Sequence, residues 1–362
     1  MKLKKRLGAV LLLGFLLPMQ AQQRHEIQVP HLDGYVTLKC DFHMHTVFSD
    51  GLVWPTVRVD EAYREGLDAI SLTEHIEYRP FKSDIVADHN RSYQIASRQA
   101  AQQNILLIKG SEITRSMAPG HFNALFLTDS NPLDTERYED SFEAAKQQGA
   151  FFFWNHPGWD SQQPDSTRWW PQHTELYQKG CMHGIEVANG ASFYPEALDW
   201  CLEKNLTMMG TSDVHQPIQS EYDFASGEHR TMTFVFAKER SVEGIREALH
   251  QGRTAVWYKD QVIGREALLR PFFEKCIEVK EVKRDVNGVV LTIQNLTQLP
   301  LHLTKTVHDA SLVYFRHYTL RPYTLHTLRI GFINGVQGGD VNFEVTNFIT
   351  GRNQGLNYTL KI

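Results

Sequence analysis

The chain has 362 residues, 42% hydrophobic and 22% charged, the profile of an ordinary globular protein, which excludes disordered, collagen-like and disulfide-framework classes. With 37 basic and 42 acidic residues the net charge is -5, so there is no electrostatic footprint for a nucleic-acid backbone and no nucleic-acid partner is expected. Four widely spaced cysteines (Cys40, Cys181, Cys201, Cys276) without a CxxC argue against a thiolate metal site or a redox dithiol, whereas seventeen histidines stand out.

The N-terminus carries Lys2, Lys4, Lys5 and Arg6, then an eleven-residue run of apolar residues and glycine over 7–17, then Pro18 and Ala21. This is the pattern of a secretory signal peptide, expected to span 1–21. A membrane span needs roughly 20 apolar residues, so none is expected here or later in the chain. Export to an oxidising compartment would let the four cysteines pair, in any of three ways.

Short apolar runs then alternate with amphipathic stretches, as successive βα units do. Strands are expected over 37–45, 68–75, 105–114, 122–128, 150–156, 184–189, 207–215, 231–237 and 254–258. Helices are expected from Pro55, which suits a first helical turn, and over 90–102, 139–148, 194–204 and 242–251. No GxGxxG follows the first strand, so a distorted β/α barrel over 22–258 fits better than a nucleotide-binding sheet. Beyond Lys259 the texture changes: short β-forming runs (277–282, 289–294, 341–348, 356–362) are separated by turns such as Asn287-Gly288, which predicts a small all-β, Ig-like sandwich over 259–362.

The histidines fall at strand ends. His43 and His45 close the first strand and, two residues apart, share one face. An HxH is expected by chance ~0.8 times at this histidine content, so position and not the motif carries the weight. The second strand ends at Thr73-Glu74-His75, the third at Gly110-Ser111-Glu112; His121 precedes the fourth, and the next three end at Asn155-His156, Glu186 to Asn189, and Ser212-Asp213-Val214-His215. The C-terminal strand ends are where a barrel builds its site, and buried imidazoles and carboxylates converging there need shared positive charge, which divalent cations supply. His25, His31, His173, His183, His229 and the four tail histidines lack that context and are expected at the surface or in loops. Arg115 and Asn189 are candidate phosphate contacts, and Trp159, Trp169 and Trp170 candidate walls of an apolar ester pocket, with loop packing as the alternative for the tryptophans.

HxHT with a downstream SDG, then TEH, GSE, a histidine, NHP and SDxH, in this order over about 36–258, resembles the polymerase and histidinol phosphatase (PHP) superfamily. The resemblance implies a distorted (β/α)7 barrel with up to three metal ions. It assigns His43, His45, Glu112 and Asp213 to the first metal, the bridging Glu112 with His121 and His156 to the second, and Asp50, His75 and His215 to the third. Asp50 stands where some relatives have histidine, and Glu74 where aspartate is commoner. The leader and β-rich tail are further similar to secreted bacterial PHP phosphodiesterases of the Sb-PDE type.

The implied chemistry is phosphoester hydrolysis by a metal-bridging hydroxide, with no protein nucleophile; no GxSxG is present. An imidazole and carboxylate set without thiolate suits Zn, Mn or Fe. The expected partner is a small-molecule phosphate ester, a diester in preference to a monoester because few cations accompany the motifs. A non-catalytic metal-binding module and a surface-binding protein are the other classes left open.

Overall fold

A computed structural model describes residues 23–307 and 311–362, so the expected leader, 1–21, lies outside the described residues. The chain runs through β1 (Val36–Asp41), α1 (Pro55–Arg64), β2 (Ala69–Leu72), α2 (Arg91–Gln102), β3 (Leu106–Ile113), β4 (Phe122–Leu125), α3 (Tyr138–Lys146) and β5 (Phe151–Trp154). It continues through α4 (Pro171–Gln178), β6 (Gly184–Asn189), β7 (Ser192–Phe193), α5 (Pro195–Lys204), β8 (Thr207–Thr211), β9 (Met232–Ala237), α6 (Val242–His250) and β10 (Thr254–Tyr258). Strands such as β2 and β5 are buried at every position, as continuous apolar runs must be when both faces are covered.

Pairing is parallel for β1–β2, β2–β3, β5–β6 and β6–β8, and antiparallel for β3–β4 and β4–β5, so the reversed β4 is the distortion of the barrel. The ring of seven strands closes just beyond β1 and β8, where Met44 bridges Val214. There His45 N donates to Val214 O (3.1 Å) and Asp213 N to His43 O (2.9 Å). Below that closure β9 pairs antiparallel with β1, and β10 with β9. Helices cover the outside with one apolar stripe each; α6, capped by Ser241 Oγ accepting from Gly244 N at 2.9 Å, buries Ile245, Ala248 and Leu249.

After β10 come β11 (Gln261–Gly264) and α7 (Glu266–Cys276), then β12 (Ile277–Asp285), β13 (Gly288–Asn295), β14 (Leu301–Lys305), β15 (Leu312–Val313), β16 (His317–Leu320), β17 (Leu325–Phe332), β18 (Asp340–Gly351) and β19 (Gln354–Lys361). The last eight form an Ig-like all-β domain. One sheet runs β12-β13-β17-β15; in the other, β14 lies between β16 and β18, and β19 pairs with β18. Alternation in β13 sends Val289, Leu291 and Ile293 inward. The tail is stitched to the barrel: β11 pairs antiparallel with β10 and parallel with β18, and Phe272 of α7 meets Phe234, Phe236 and Phe348 at 5.7–6.2 Å. Helices α4 and α7 are not foreseen by the strand-and-helix pattern. Pro271 inside α7 argues against a helix locally, and burial of Leu269, Phe272 and Phe273 overrides it.

All four cysteines are free and buried, so no pairing forms among them. Among the described residues no helix is long and apolar enough to cross a membrane.

Candidate metal centre

The nine expected ligands reach the barrel mouth from the ends of six strands and one loop. His43 and His45 follow β1, Asp50 lies in the loop after them, His75 follows β2 and Glu112 sits near the end of β3. His121 precedes β4, His156 follows β5, and Asp213 and His215 follow β8. Gly51 lets the Asp50 loop fold back: a Cβ there would lie 2.5 Å from the His45 carbonyl carbon. His156 (φ 28°) and Asp213 (φ 53°) adopt backbone conformations that side chains disfavour, each pinned by its own amide, His156 N donating to Glu186 Oε2 (2.5 Å) and Asp213 N to His43 O.

His43 Nε2 lies 3.1 Å from His45 Nε2, 3.0 Å from Asp213 Oδ1 and 3.5 Å from Glu112 Oε2; His45 Nε2 is 3.1 and 3.3 Å from the same two oxygens. Ligands ~2.0–2.2 Å from a tetrahedral divalent cation stand about 3.3–3.6 Å apart, close to this spacing. The tautomers sharpen the point. His43 Nδ1–H donates to the buried Glu186 carboxylate at 2.8 Å. Ser49 Oγ–H donates to Glu74 Oε2 (2.6 Å), so Ser49 accepts from His45 Nδ1–H at 3.2 Å. As neutral rings both would then carry bare Nε2 lone pairs, leaving four acceptors facing one another; without a cation a proton must stand in, and although burial opposes it, Asp213, Glu186 and Glu112 raise His43 well above its ordinary value. Asp213 Oδ1 and Asp50 Oδ1 are buried with no well-aligned hydrogen-bond donor, and Glu112 Oε2 meets His75 Nδ1 at 2.7 Å. These residues fit a divalent cation.

Two further groupings adjoin this one. Glu112 Oε1 lies 2.8 Å from His121 Nδ1 and 3.7 Å from His156 Nε2, while Asp50 Oδ1 lies 3.4 Å from His75 Nε2 and 3.2 Å from His215 Nε2. Without a cation, protons must balance the carboxylates. Burial lowers His45, and the neighbouring His75 and His215 take it further, to about 3. Burial also works against charging His75, yet Glu112 and Asp50 outweigh it and raise His75 to about 10; Asp50 and Asp213 likewise overcome burial and raise His215 to about 9. Burial would lift Asp213 and Glu112, but the surrounding histidines hold both well below the usual carboxylate range.

The supporting shell contains residues that sequence reasoning did not single out. Glu186, fully buried on β6, accepts from His43, from Thr211 Oγ1 (2.5 Å), from the His156 amide and from Asn189 Nδ2 (2.8 Å). Arg58 of α1, also fully buried, donates to the carbonyls of His45, Val214 and Gln216 and pairs with Glu61, clamping the barrel where it closes. Its signal in the sequence is that Arg58 and Glu61 share the helix face of Val59 and Ala62. Glu74 is not among the clustered atoms: it holds the Thr46 and Ser49 loop.

The two expected phosphate contacts are otherwise engaged. Arg115 donates to the carbonyls of Thr135 and Glu136 and to Ser141 Oγ, with Nε 2.7 Å from Glu77. Asn189 Nδ2 bonds Glu186 and reaches Asp213 Oδ2 at 3.4 Å. Of the three tryptophans, Trp159 meets the rings of His156 (5.2 Å) and His121 (5.7 Å), whereas Trp169 packs on Trp154 and Trp200, and Trp170 Nε1 donates to Gln163. His173 corrects the expectation of a loop residue. It is fully buried against Trp154, its Nδ1 accepting from Trp170 N and its Nε2–H donating to Pro119 O, because α4 uses it as an internal cap.

The model of a family described as an Ig-like domain (DUF5001) matches residues 277–361. At 70% identity and a TM-score of 0.94, 94% of the chain aligns with the whole of a two-domain protein from Bacteroides vulgatus containing a predicted PHP-like metal-dependent phosphoesterase. More distant likenesses are a protein from Bifidobacterium adolescentis described as a metal-dependent phosphoesterase (16% identity, TM-score 0.41, 59% of this chain and 96% of that one) and an amidohydrolase from Chromobacterium violaceum (15%, 0.38, 50% and 88%). No curated protein matches the chain.

Proposed function

The chain belongs to the two-domain PHP-like metal-dependent phosphoesterases, and from that premise we propose that it is a secreted or periplasmic enzyme that hydrolyses phosphodiesters. The observation that carries the reading is the convergence of His43, His45, Glu112 and Asp213, in which the two buried Nε2 atoms lie 3.0–3.5 Å from one another and from Glu112 Oε2 and Asp213 Oδ1. These four would hold one divalent cation; Glu112 with His121 and His156 a second; and Asp50, His75 and His215 a third. Zn, Mn and Fe all suit this donor set. Divalent cations bound there would make water more acidic and would neutralise charge gathering on phosphoryl oxygens.

The protein's own part is to hold the donors. Glu186 keeps the proton of His43 on Nδ1 and Ser49 keeps that of His45 on Nδ1, so both Nε2 lone pairs stay free. Asn155 Nδ2 donates to Glu112 Oε1 at 3.0 Å and fixes the carboxylate shared between two groupings. Arg58 keeps the two strand ends that carry His45 and Asp213 at one separation. The diester is favoured over the monoester because Arg115 is committed to Glu77 and neighbouring carbonyls, and Arg79 to the carbonyls of Phe48 and Ala87, which leaves both poorly placed to meet a dianionic phosphoryl group. Export is supported by the basic start and apolar run ahead of Ala21.

The test compares kcat/KM for matched aryl mono- and diesters on metal-loaded enzyme, with chelator and Asp213→Asn as blanks. A monoester preference above roughly tenfold, about 1.4 kcal/mol in transition-state binding, overturns the diester reading in favour of a phosphomonoesterase.

A further inference from the structure

Large aromatic side chains left in water forgo burial free energy, so one held rigidly beside a buried polar cluster calls for a reason. Trp159 is 43% exposed, whereas the two histidines it touches, His121 and His156, are 8% exposed each. It is not a loose loop residue: its amide donates to His156 O at 3.0 Å, and its carbonyl accepts from the amides of Gln162 (2.9 Å) and Gln163 (2.8 Å). Tyr78 repeats the arrangement from another loop, 54% exposed with its ring 5.9 Å from that of His75. Trp54 is 46% exposed and packs on Phe48, in the loop that leads to Asp50. The polar cluster is thus flanked by the open rings of Trp159 and Tyr78, while Arg79 and Arg115 are tied to carbonyls and to Glu77.

We infer that Trp159 is a specificity-determining residue that stacks on an aromatic ring in one ester arm of the substrate, which makes the substrate class an aryl or heteroaryl phosphodiester. The inference rests on the phosphodiester reading above. An indole face offers a flat, polarisable surface that favours an offset-stacked ring over an alkyl group. Trp169 and Trp170, engaged in packing around α4, take no part.

The experiment uses the full chain as wild type, Trp159→Ala and Trp159→Phe, with metal content measured in each. Binding of diphenyl phosphate and of dimethyl phosphate is followed by calorimetry, and turnover of bis(4-nitrophenyl) phosphate and of 4-nitrophenyl phosphate by absorbance. Wild type is expected to bind the diphenyl ester more tightly than the dimethyl ester. Trp159→Ala should weaken the diphenyl ester about tenfold, with KM for the bis-aryl substrate rising to match, and leave the dimethyl ester within about twofold; Trp159→Phe should recover most of the loss. Equal loss on both ligands, which a disturbance of His121 and His156 alone would produce, or no loss on either, overturns the inference while the diester reading stands. Turnover of the monoester but not of the diester by wild type overturns both.

Discussion

Replacing Glu186 with glutamine changes one oxygen to an amide and leaves no favourable way to seat it. Four donors converge on this carboxylate: His43 Nδ1–H and the Thr211 hydroxyl on Oε1, and the His156 amide and Asn189 Nδ2 on Oε2. With the amide nitrogen at the Oε2 position, it faces two N–H donors that sit 2.5 and 2.8 Å away in the native arrangement. In the flipped orientation it faces His43 Nδ1, and the ring must move its proton to Nε2, which removes a lone pair from the group shared with His45 and Asp213. Hydrogen bonds to a charged group contribute about 1.5–3 kcal/mol each, and loss of a carboxylate that orients a ligating histidine lowers metal affinity or activity by roughly 10–100-fold. Glu186→Gln should therefore unfold at lower temperature without metal and bind Zn or Mn at least tenfold more weakly in competition with a chromophoric chelator. Metal affinity equal to wild type would refute the role given to Glu186.

Three other outcomes are expected. His75→Ala should remove metal from the Asp50 and His215 grouping and leave the His43, His45, Asp213 group filled, read as a fractional fall in metal per chain; complete loss would contradict the division. For His173, burial lowers the pKa from an ordinary 6.5 to about 4, so its contribution to stability is present above pH 6.5 and lost as pH falls through about 4, at most about 3 kcal/mol; urea unfolding of wild type and His173→Gln at pH 7.5 and 4.5 should give a steeper fall for wild type, and parallel falls would contradict it. We propose that the barrel domain is 22–258 and the sandwich domain 259–362; because β11 pairs with both β10 and β18, the two should melt in one calorimetric transition, and two separated transitions would count against that coupling.

Strand periodicity made the mouth legible. His43 and His45 share a face because they are two residues apart, and the other ligands mark the ends of runs that only a covered strand tolerates, such as Phe151–Trp154. What escaped the pattern depends on partners distant in the chain. Glu186 reads as one polar residue in a strand until the fold brings in His43, 143 residues away, and Arg58 as a helix charge until the chain returns with Val214 and Gln216. The partners of Arg115 escaped the pattern for the same reason: Glu77, Thr135 and Glu136 engage its guanidinium, and their proximity is not written in local spacing. His173 was indistinguishable from a loop histidine because α4 is short and its cap is the histidine itself. Helix α7 lay hidden behind Pro271, in a region whose β-rich texture on its C-terminal side dominated.

The most direct measurement of the central claim is the metal content of purified protein, by mass spectrometry, for wild type and Glu112→Ala, paired with diester turnover. Glu112 Oε2 lies within 3.5 Å of His43 and His45 Nε2, and its Oε1 within 2.8 Å of His121 Nδ1, so one carboxylate serves two groupings. Wild type should hold more than one and up to three divalent ions per chain, and Glu112→Ala should lose two of the sites together with hydrolysis. Equal metal content in the two proteins would contradict a shared carboxylate, and full turnover in metal-free wild type would contradict a metal-dependent phosphoesterase altogether.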